Sequence, residues 1–230
     1  MAKKKVSPPL FYLEKYSKNL PYRKEAAKFV KTQKEQNNTV VIVTGCFDLI
    51  THAHIKFLKR AKTIFEEEIS GGLEEEAITK EEEKEYKLLV GVESDKRIKF
   101  LKGPLRPINN IKQRLEVLDE LRCVDFTFVI ESKGFEDTLE EFYTRLHKEI
   151  RADYLAISEG DPYFAERKRE IEAAGGNIIV VSKLEDGSSS SVIYKLFEKY
   201  DFIKSDYISS KDIIEYRPPT ITQIKLPLKY

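Results

Sequence analysis

Five short aliphatic runs punctuate the chain, and what lies between them fixes the kind of fold they can join. They are Val40-Val41-Ile42-Val43, Lys87-Leu88-Leu89-Val90-Gly91-Val92, Phe126-Thr127-Phe128-Val129-Ile130, Tyr154-Leu155-Ala156-Ile157 and Ile178-Ile179-Val180-Val181. Such unbroken, largely β-branched runs read as strands buried on both faces, since a strand with one wet face would alternate apolar and polar residues. Between them, apolar residues recur at helical spacing over Ile55 to Phe65, Ile111 to Leu121, Leu139 to Ile150 and Phe164 to Ala174, the last stopped by Gly175-Gly176. Strands separated by helices at this rhythm build right-handed βαβ units around a parallel sheet.

With 230 residues, 41% of them hydrophobic, the chain can bury one substantial core of this kind. The expected fold is α/β: a Rossmann-like open parallel sheet of five strands with helices on both faces, plus N- and C-terminal extensions. The principal domain is placed at residues 39–200. Residues 1–38 hold ten basic and three acidic side chains and apolar positions that suit one or two short amphipathic helices, so they read as an appended extension. Residues 66–86 carry ten glutamates against two lysines around Ser70-Gly71-Gly72 and read as an acidic, solvated insertion. Residues 201–230, with Pro218-Pro219 and Pro227, read as an extended tail.

Lysine plus arginine (40) nearly balance aspartate plus glutamate (39), so no global field draws the chain to nucleic acid or to an anionic membrane. Neither a signal peptide nor a bilayer-spanning apolar run is legible. Cys46 and Cys123 lie far apart in apolar surroundings, unlike a disulfide framework or a zinc cluster, and fit a reducing cytoplasm.

In an open parallel sheet, ligands collect outside the carboxyl ends of the strands. After the first strand comes Thr44-Gly45-Cys46-Phe47-Asp48-Leu49-Ile50-Thr51-His52-Ala53-His54, a loop that leads into a helix. Thr51 and His54, three apart, share one face of that helix's first turn, beside backbone N–H groups and the positive end of the dipole, where they could grip a triphosphate. This segment resembles the Gly-x-Phe-Asp-x-x-His-x-Gly-His signature of cytidylyltransferase-like nucleotidyltransferases. The resemblance extends through Gly91-Val92-Glu93-Ser94-Asp95, Lys99 to Gly103, Arg106-Pro107-Ile108-Asn109, Gln113-Arg114, Glu159-Gly160-Asp161 and Gly187-Ser188-Ser189-Ser190-Ser191-Val192-Ile193. As a set, over roughly residues 39–198, these segments are similar to the adenylyltransferase domain of bacterial ADP-heptose synthases.

The resemblance implies a direct displacement in which a phosphate oxygen of the acceptor attacks the α-phosphorus of a nucleoside triphosphate and pyrophosphate leaves, with Mg²⁺ on the substrate phosphates. It implies a catalytic group of His54, Thr51, Lys99 and Lys102, with Lys99 and Lys102 competing for one role. Gly45, Cys46, Phe47, Asp48, Arg106, Arg114, Glu159, Asp161 and Ser188, Ser189, Ser190 and Ser191 would contact the nucleotide, with Asp48 as an orienter or outer-shell metal contact. The expected substrates are ATP (or CTP) and a small phosphorylated acceptor, a sugar 1-phosphate before glycerol phosphate, phosphopantetheine or FMN, and a homodimer is implied. The chain departs from the signature at its centre, where Thr51 replaces the first histidine and Ala53 the glycine. The rival reading is therefore a catalytically reduced nucleotide-binding or scaffold protein. Plainer readings are His52 facing solvent, His147 exposed at a helix end and Cys46 as a buried side chain rather than a nucleophile; the segment from Lys102 to Pro107 reads plainly as a surface loop, yet its glycine and prolines suit a mobile lid.

Overall fold

The computed structural model describes residues 20–70, 85–131, 139–182 and 191–199. All five expected strands form: β1 (Thr39–Gly45), β2 (Tyr86–Glu93), β3 (Phe126–Ile130), β4 (Tyr154–Ser158) and β5 (Asn177–Val181). They make one all-parallel sheet in the order β3-β2-β1-β4-β5. The chain therefore steps outward from β1 through β2 to β3, then returns to the other side of β1 for β4 and β5. The order reverses beside β1, and the crevice at its carboxyl end is the place such sheets reserve for ligands.

The helices are α1 (Arg23–Glu35), α2 (His52–Ser70), α3 (Asp95–Lys102), α4 (Ile111–Asp119), α5 (Leu139–Ile150) and α6 (Phe164–Glu172), followed by helix 191–199. Both faces of the sheet are covered. Val41 and Val43 point into one core with Leu58 and Ala61 of α2 and Leu115 and Leu118 of α4. Their neighbours Val40 and Ile42 point into the other, with Ala26 and Val30 of α1, Phe142, Leu146 and Ile150 of α5 and Ile171 of α6. This is why β1 reads as an unbroken apolar run: its period of two feeds two cores. Gly91 in β2 has its own reason, since a Cβ there would stand 2.7 Å from Ile130 Cδ1 and 2.8 Å from the Phe128 ring.

Four expectations change. First, the helix foreseen in the N-terminal extension is no appendage: Ala26 and Val30 are fully buried, and Phe29 stacks on Phe126 at 4.9 Å. Val129 of edge strand β3 donates its N–H to Pro21 O at 2.7 Å, so this segment also covers the sheet's edge. Second, α2 runs on to Ser70, into the stretch read as an acidic insertion, and Tyr86 belongs to β2; residues 71–84 lie outside the described residues. Third, α3 occupies a stretch for which no helix was foreseen. Ser94 caps it by accepting from Arg97 N–H, and its eight residues are too few for periodicity to reveal. Residues 1–19 and the tail 201–230 also lie outside the described residues. Among the described residues, no helix is long and apolar enough to cross a membrane.

Fourth, His147 is fully buried rather than exposed. It lies on the same stripe of α5 as Tyr143 and Ile150, and neither ring nitrogen has a hydrogen-bond partner among the described residues. Burial, helped by the Arg167 charge, holds its pKa down to about 4, while burial pushes the nearly buried Glu170 up to about 7. These shifts act on stability with opposite signs. The folded chain keeps His147 neutral where the unfolded chain protonates it below 6.5, so its contribution is present above 6.5 and lost as pH falls towards 4. The folded chain holds the Glu170 proton more tightly, so that contribution is present below 4.5 and lost as pH rises towards 7. Wild-type stability should therefore change little between these limits. His147→Leu should leave the Glu170 limb alone, a decline with rising pH of at most about 1.4 kcal/mol per unit in urea unfolding. A stability that rises with pH in that variant would contradict the assignment.

Candidate active site

The loop that leaves β1 is held in an unusual shape. Phe47 adopts a positive φ of 47°, uncommon for a bulky residue and costly unless the surroundings enforce it. They do: its ring is 5% exposed and meets His54 edge-on at 5.7 Å. Gly45 leaves room for this, since a Cβ there would come within 2.9 Å of the Phe47 ring.

Asp48 follows, 1% exposed. Its Oδ1 accepts from the N–H of Ile108 (2.9 Å) and of Asn109 (2.8 Å), and its Oδ2 from Arg106 Nε at 2.5 Å. Asn109 Nδ2 donates in turn to Asp48 O at 2.7 Å. Burial pushes the Asp48 carboxyl up, but these donors and the Arg106 charge outweigh it and hold the group below its ordinary value. The expected lid is thus tied to the β1 loop by one carboxylate. Arg106 makes this tie through Nε, while its buried Nη2 has no hydrogen-bond partner among the described residues.

Arg114 plays a related part. Its side chain is 0% exposed, and it donates to Asn109 O (3.0 Å), Cys46 O (2.6 Å) and Asp95 Oδ1 (2.7 Å). A guanidinium spent on three acceptors beneath the loop supports its shape and presents no face to a phosphate. Arg114 is engaged through all three guanidinium nitrogens, whereas Arg106 keeps one nitrogen without a partner among the described residues.

His54 stands in the first turn of α2. The Thr51 N–H donates to its Nδ1 at 3.1 Å, and the Thr51 hydroxyl lies 2.7 Å from the same atom. A backbone N–H can only donate, so Nδ1 is the acceptor and the ring hydrogen sits on Nε2. Burial, reinforced by the Lys102 charge, lowers the His54 pKa, which keeps the ring neutral at pH 7: a hydrogen-bond donor through Nε2 and a poor proton acceptor. Thr51 thereby orients the histidine. His52 is exposed, and Ala53 is half-buried beside it.

The structure also separates the two lysines. Lys102 lies near enough to His54 and the Cys46 thiol for its charge to act on both, whereas Lys99, a turn earlier, is exposed. Burial raises the Cys46 thiol, with Lys102 opposing; Cys46 remains a protonated side chain, not a nucleophile. At the end of β4, Glu159 is exposed. Asp161 accepts from Tyr163 N–H at 2.8 Å and pairs with Arg167 at 3.3 Å, which orders the turn into α6. Ser191 opens helix 191–199; Ser188, Ser189 and Ser190 lie outside the described residues. No group of three or more His, Cys, Asp or Glu side chains suited to a metal occurs among the described residues.

Residues 42–215 match the family described as cytidylyltransferase-like. Among curated relatives, the bifunctional protein HldE of Pectobacterium carotovorum is 31% identical over 168 residues, 72% of this chain and 29% of the relative. HldE of Actinobacillus succinogenes is 30% identical over 179 residues, 77% and 32% respectively. HldE of Syntrophotalea carbinolica is 26% identical over 189 residues, 81% and 32%. The chain thus spans about a third of the length of these relatives. A solved structure of the lipopolysaccharide core biosynthesis protein from Thermoplasma volcanium GSS1 is similar with a TM-score of 0.44 and 21% identity, covering 65% of this chain and 98% of that one.

Proposed function

We propose that this chain, which belongs to the cytidylyltransferase-like family of nucleotidyltransferases, transfers AMP (or CMP) from a nucleoside triphosphate to a small phosphorylated acceptor, a sugar 1-phosphate, and releases pyrophosphate. The observation that carries this reading is the pairing of a neutral His54, its hydrogen on Nε2, with Lys102 at the N-terminus of α2, at the carboxyl end of β1 where the strand order reverses. A triphosphate laid there meets a neutral donor, an ammonium group and the positive end of the α2 dipole.

The chemistry asks for little else. An oxygen of the acceptor phosphate forms a bond to the α-phosphorus, the bond from that phosphorus to the bridging oxygen breaks, and its electrons leave on pyrophosphate. The attacking phosphate is already an anion near neutral pH, so no general base is required, in keeping with a histidine whose affinity for protons is depressed. His54 donates to a phosphate oxygen, Lys102 balances the charge that gathers on the α-phosphoryl group, and the tied loop from Gly103 to Asn109 borders the site. Positioning and electrostatics supply the rate. Magnesium, when bound through the phosphates, contributes further charge neutralisation.

A screen of ATP and CTP against sugar 1-phosphates, glycerol phosphate, phosphopantetheine and FMN, read by pyrophosphate release, tests the proposal. Release with ATP and a sugar 1-phosphate is expected. Release with another acceptor would keep the transferase and change its substrate, and nucleotide binding by calorimetry with no release from any pair would favour the scaffold reading.

A further inference from the structure

α3 carries Lys102 at its end, far from the Arg114 Nη2 to Asp95 Oδ1 contact of 2.7 Å that holds its start. Of its eight residues only Arg97 and Ile98 are buried. Ile98 holds the helix against the core, but an apolar contact is non-directional and leaves rotation about the helix axis weakly determined. Arg97, 7% exposed, adds a second, buried directional contact: its Nε donates to the Glu93 carboxylate at the end of β2, itself 3% exposed. Tyr143 of α5 donates its hydroxyl to the other oxygen of Glu93. The Arg97 guanidinium also lies 4.1 Å from the centre of the Phe142 ring and 5.6 Å from that of Tyr143.

We propose that Glu93, Arg97 and Tyr143 are positioning residues that fix the rotation of α3 and so place Lys102 near His54. The inference rests on the nucleotidyl-transfer reading for its effect on rate, but not for its effect on geometry. With side-chain tips about 5–6 Å from a helix axis, a rotation of about 15° displaces them by about 1.5 Å. Misplacement on that scale can cost about 100-fold in rate. A buried ion pair contributes little net stability compared with apolar side chains of the same volume, because desolvation offsets the attraction. The network's distinctive product is thus direction. The variant to make is the triple Glu93→Leu, Arg97→Met, Tyr143→Phe, which removes the ion pair and its hydroxyl donor together, so that neither Glu93 nor Arg97 leaves its partner's charge unpaired.

Two measurements read it. Relative to wild type, kcat should fall about 10–100-fold while the nucleotide Kd stays within about threefold, since the triphosphate contacts of α2 are untouched. Independently of turnover, the His54 ring titration followed by NMR should move upward as Lys102 withdraws, with Lys102→Met setting the limit of the movement because burial, the larger cause of the depression, remains. Should the triple variant fail to fold, Tyr143→Phe alone should show a smaller shift of the same sign. An unmoved His54 titration in the folded variant overturns the inference. If wild type releases no pyrophosphate from any substrate pair, the proposed function fails while the titration still decides the role of the network.

Discussion

His54→Ala should lower pyrophosphate release by about 100–1000-fold, the usual cost of losing one donor aimed at a charge-bearing oxygen in a phosphoryl or acyl transfer site. His52→Ala should stay within about twofold, because that side chain is exposed and surface changes of this kind are close to neutral. The two residues differ by two positions on a helix, hence by about 200° of rotation, so the comparison examines the register of the motif and not merely the presence of histidine. Equal losses in the two variants would show the assignment of His54 to be mistaken. The mechanism also fixes the sign of a third comparison. Since Nδ1 is occupied by Thr51 and Nε2 does the donating, His54→Gln, whose amide N–H₂ can reach a similar point, should retain more activity than His54→Ala.

Asp48→Ala should be the most destabilising single change in the site. It strands the Arg106 guanidinium, whose side chain is 12% exposed, and leaves the N–H groups of Ile108 and Asn109 without their acceptor. Breaking a buried pair by removing one partner costs about 3–5 kcal/mol. Activity should fall with stability, because the loop of residues 103–109 loses its tie to the β1 loop. The pH dependence follows from the depressed carboxyl: the contribution of Asp48 is present above its ordinary value of 3.8 and lost as pH falls through the lower value of the folded state. The variant's stability curve should accordingly be flatter than wild type on the acid side. Chemical denaturation at two pH values measures both effects; a cost below about 1 kcal/mol, the level of an exposed ion pair, would show that the tie is not formed.

Some of the site was legible in the chain. The junction from Thr44 to His54 could be found because a strand, a loop and a helix start adjoin in sequence, and the spacing of Thr51 and His54 already places them on one face. Their mutual hydrogen bond was not legible, since either could have faced a ligand. Two signals were available but outweighed. Arg114 precedes Leu115 by one position and Leu118 by four on the buried face of α4, and His147 lies four after Tyr143 and three before Ile150 on the apolar stripe of α5. The resemblance assigns Arg114 to phosphate and the plain reading His147 to solvent, yet helical geometry puts both inside. The roles of Glu93, Arg97 and Tyr143 had no local signal, because Glu93 and Tyr143 stand 50 residues apart.

The sequence by itself determined the five strands, most of the helices, the parallel βαβ build and the position of the strand-to-helix junction that leaves β1. Each of these is written in a short window through the period of its apolar residues, and a two-sided apolar strand followed by a helix has few ways to fold. Tertiary structure alone decided which charges meet. Asp48 and Arg106 are 58 residues apart, and Cys46 and Arg114 are 68 apart, so whether such groups hold a ligand or each other depends on how loops from β1 and α3 pack over the sheet. The same packing brings Lys102 near His54 and leaves Lys99 in solvent, a distinction that two lysines three residues apart cannot express until the helix beneath them has been rotated into place.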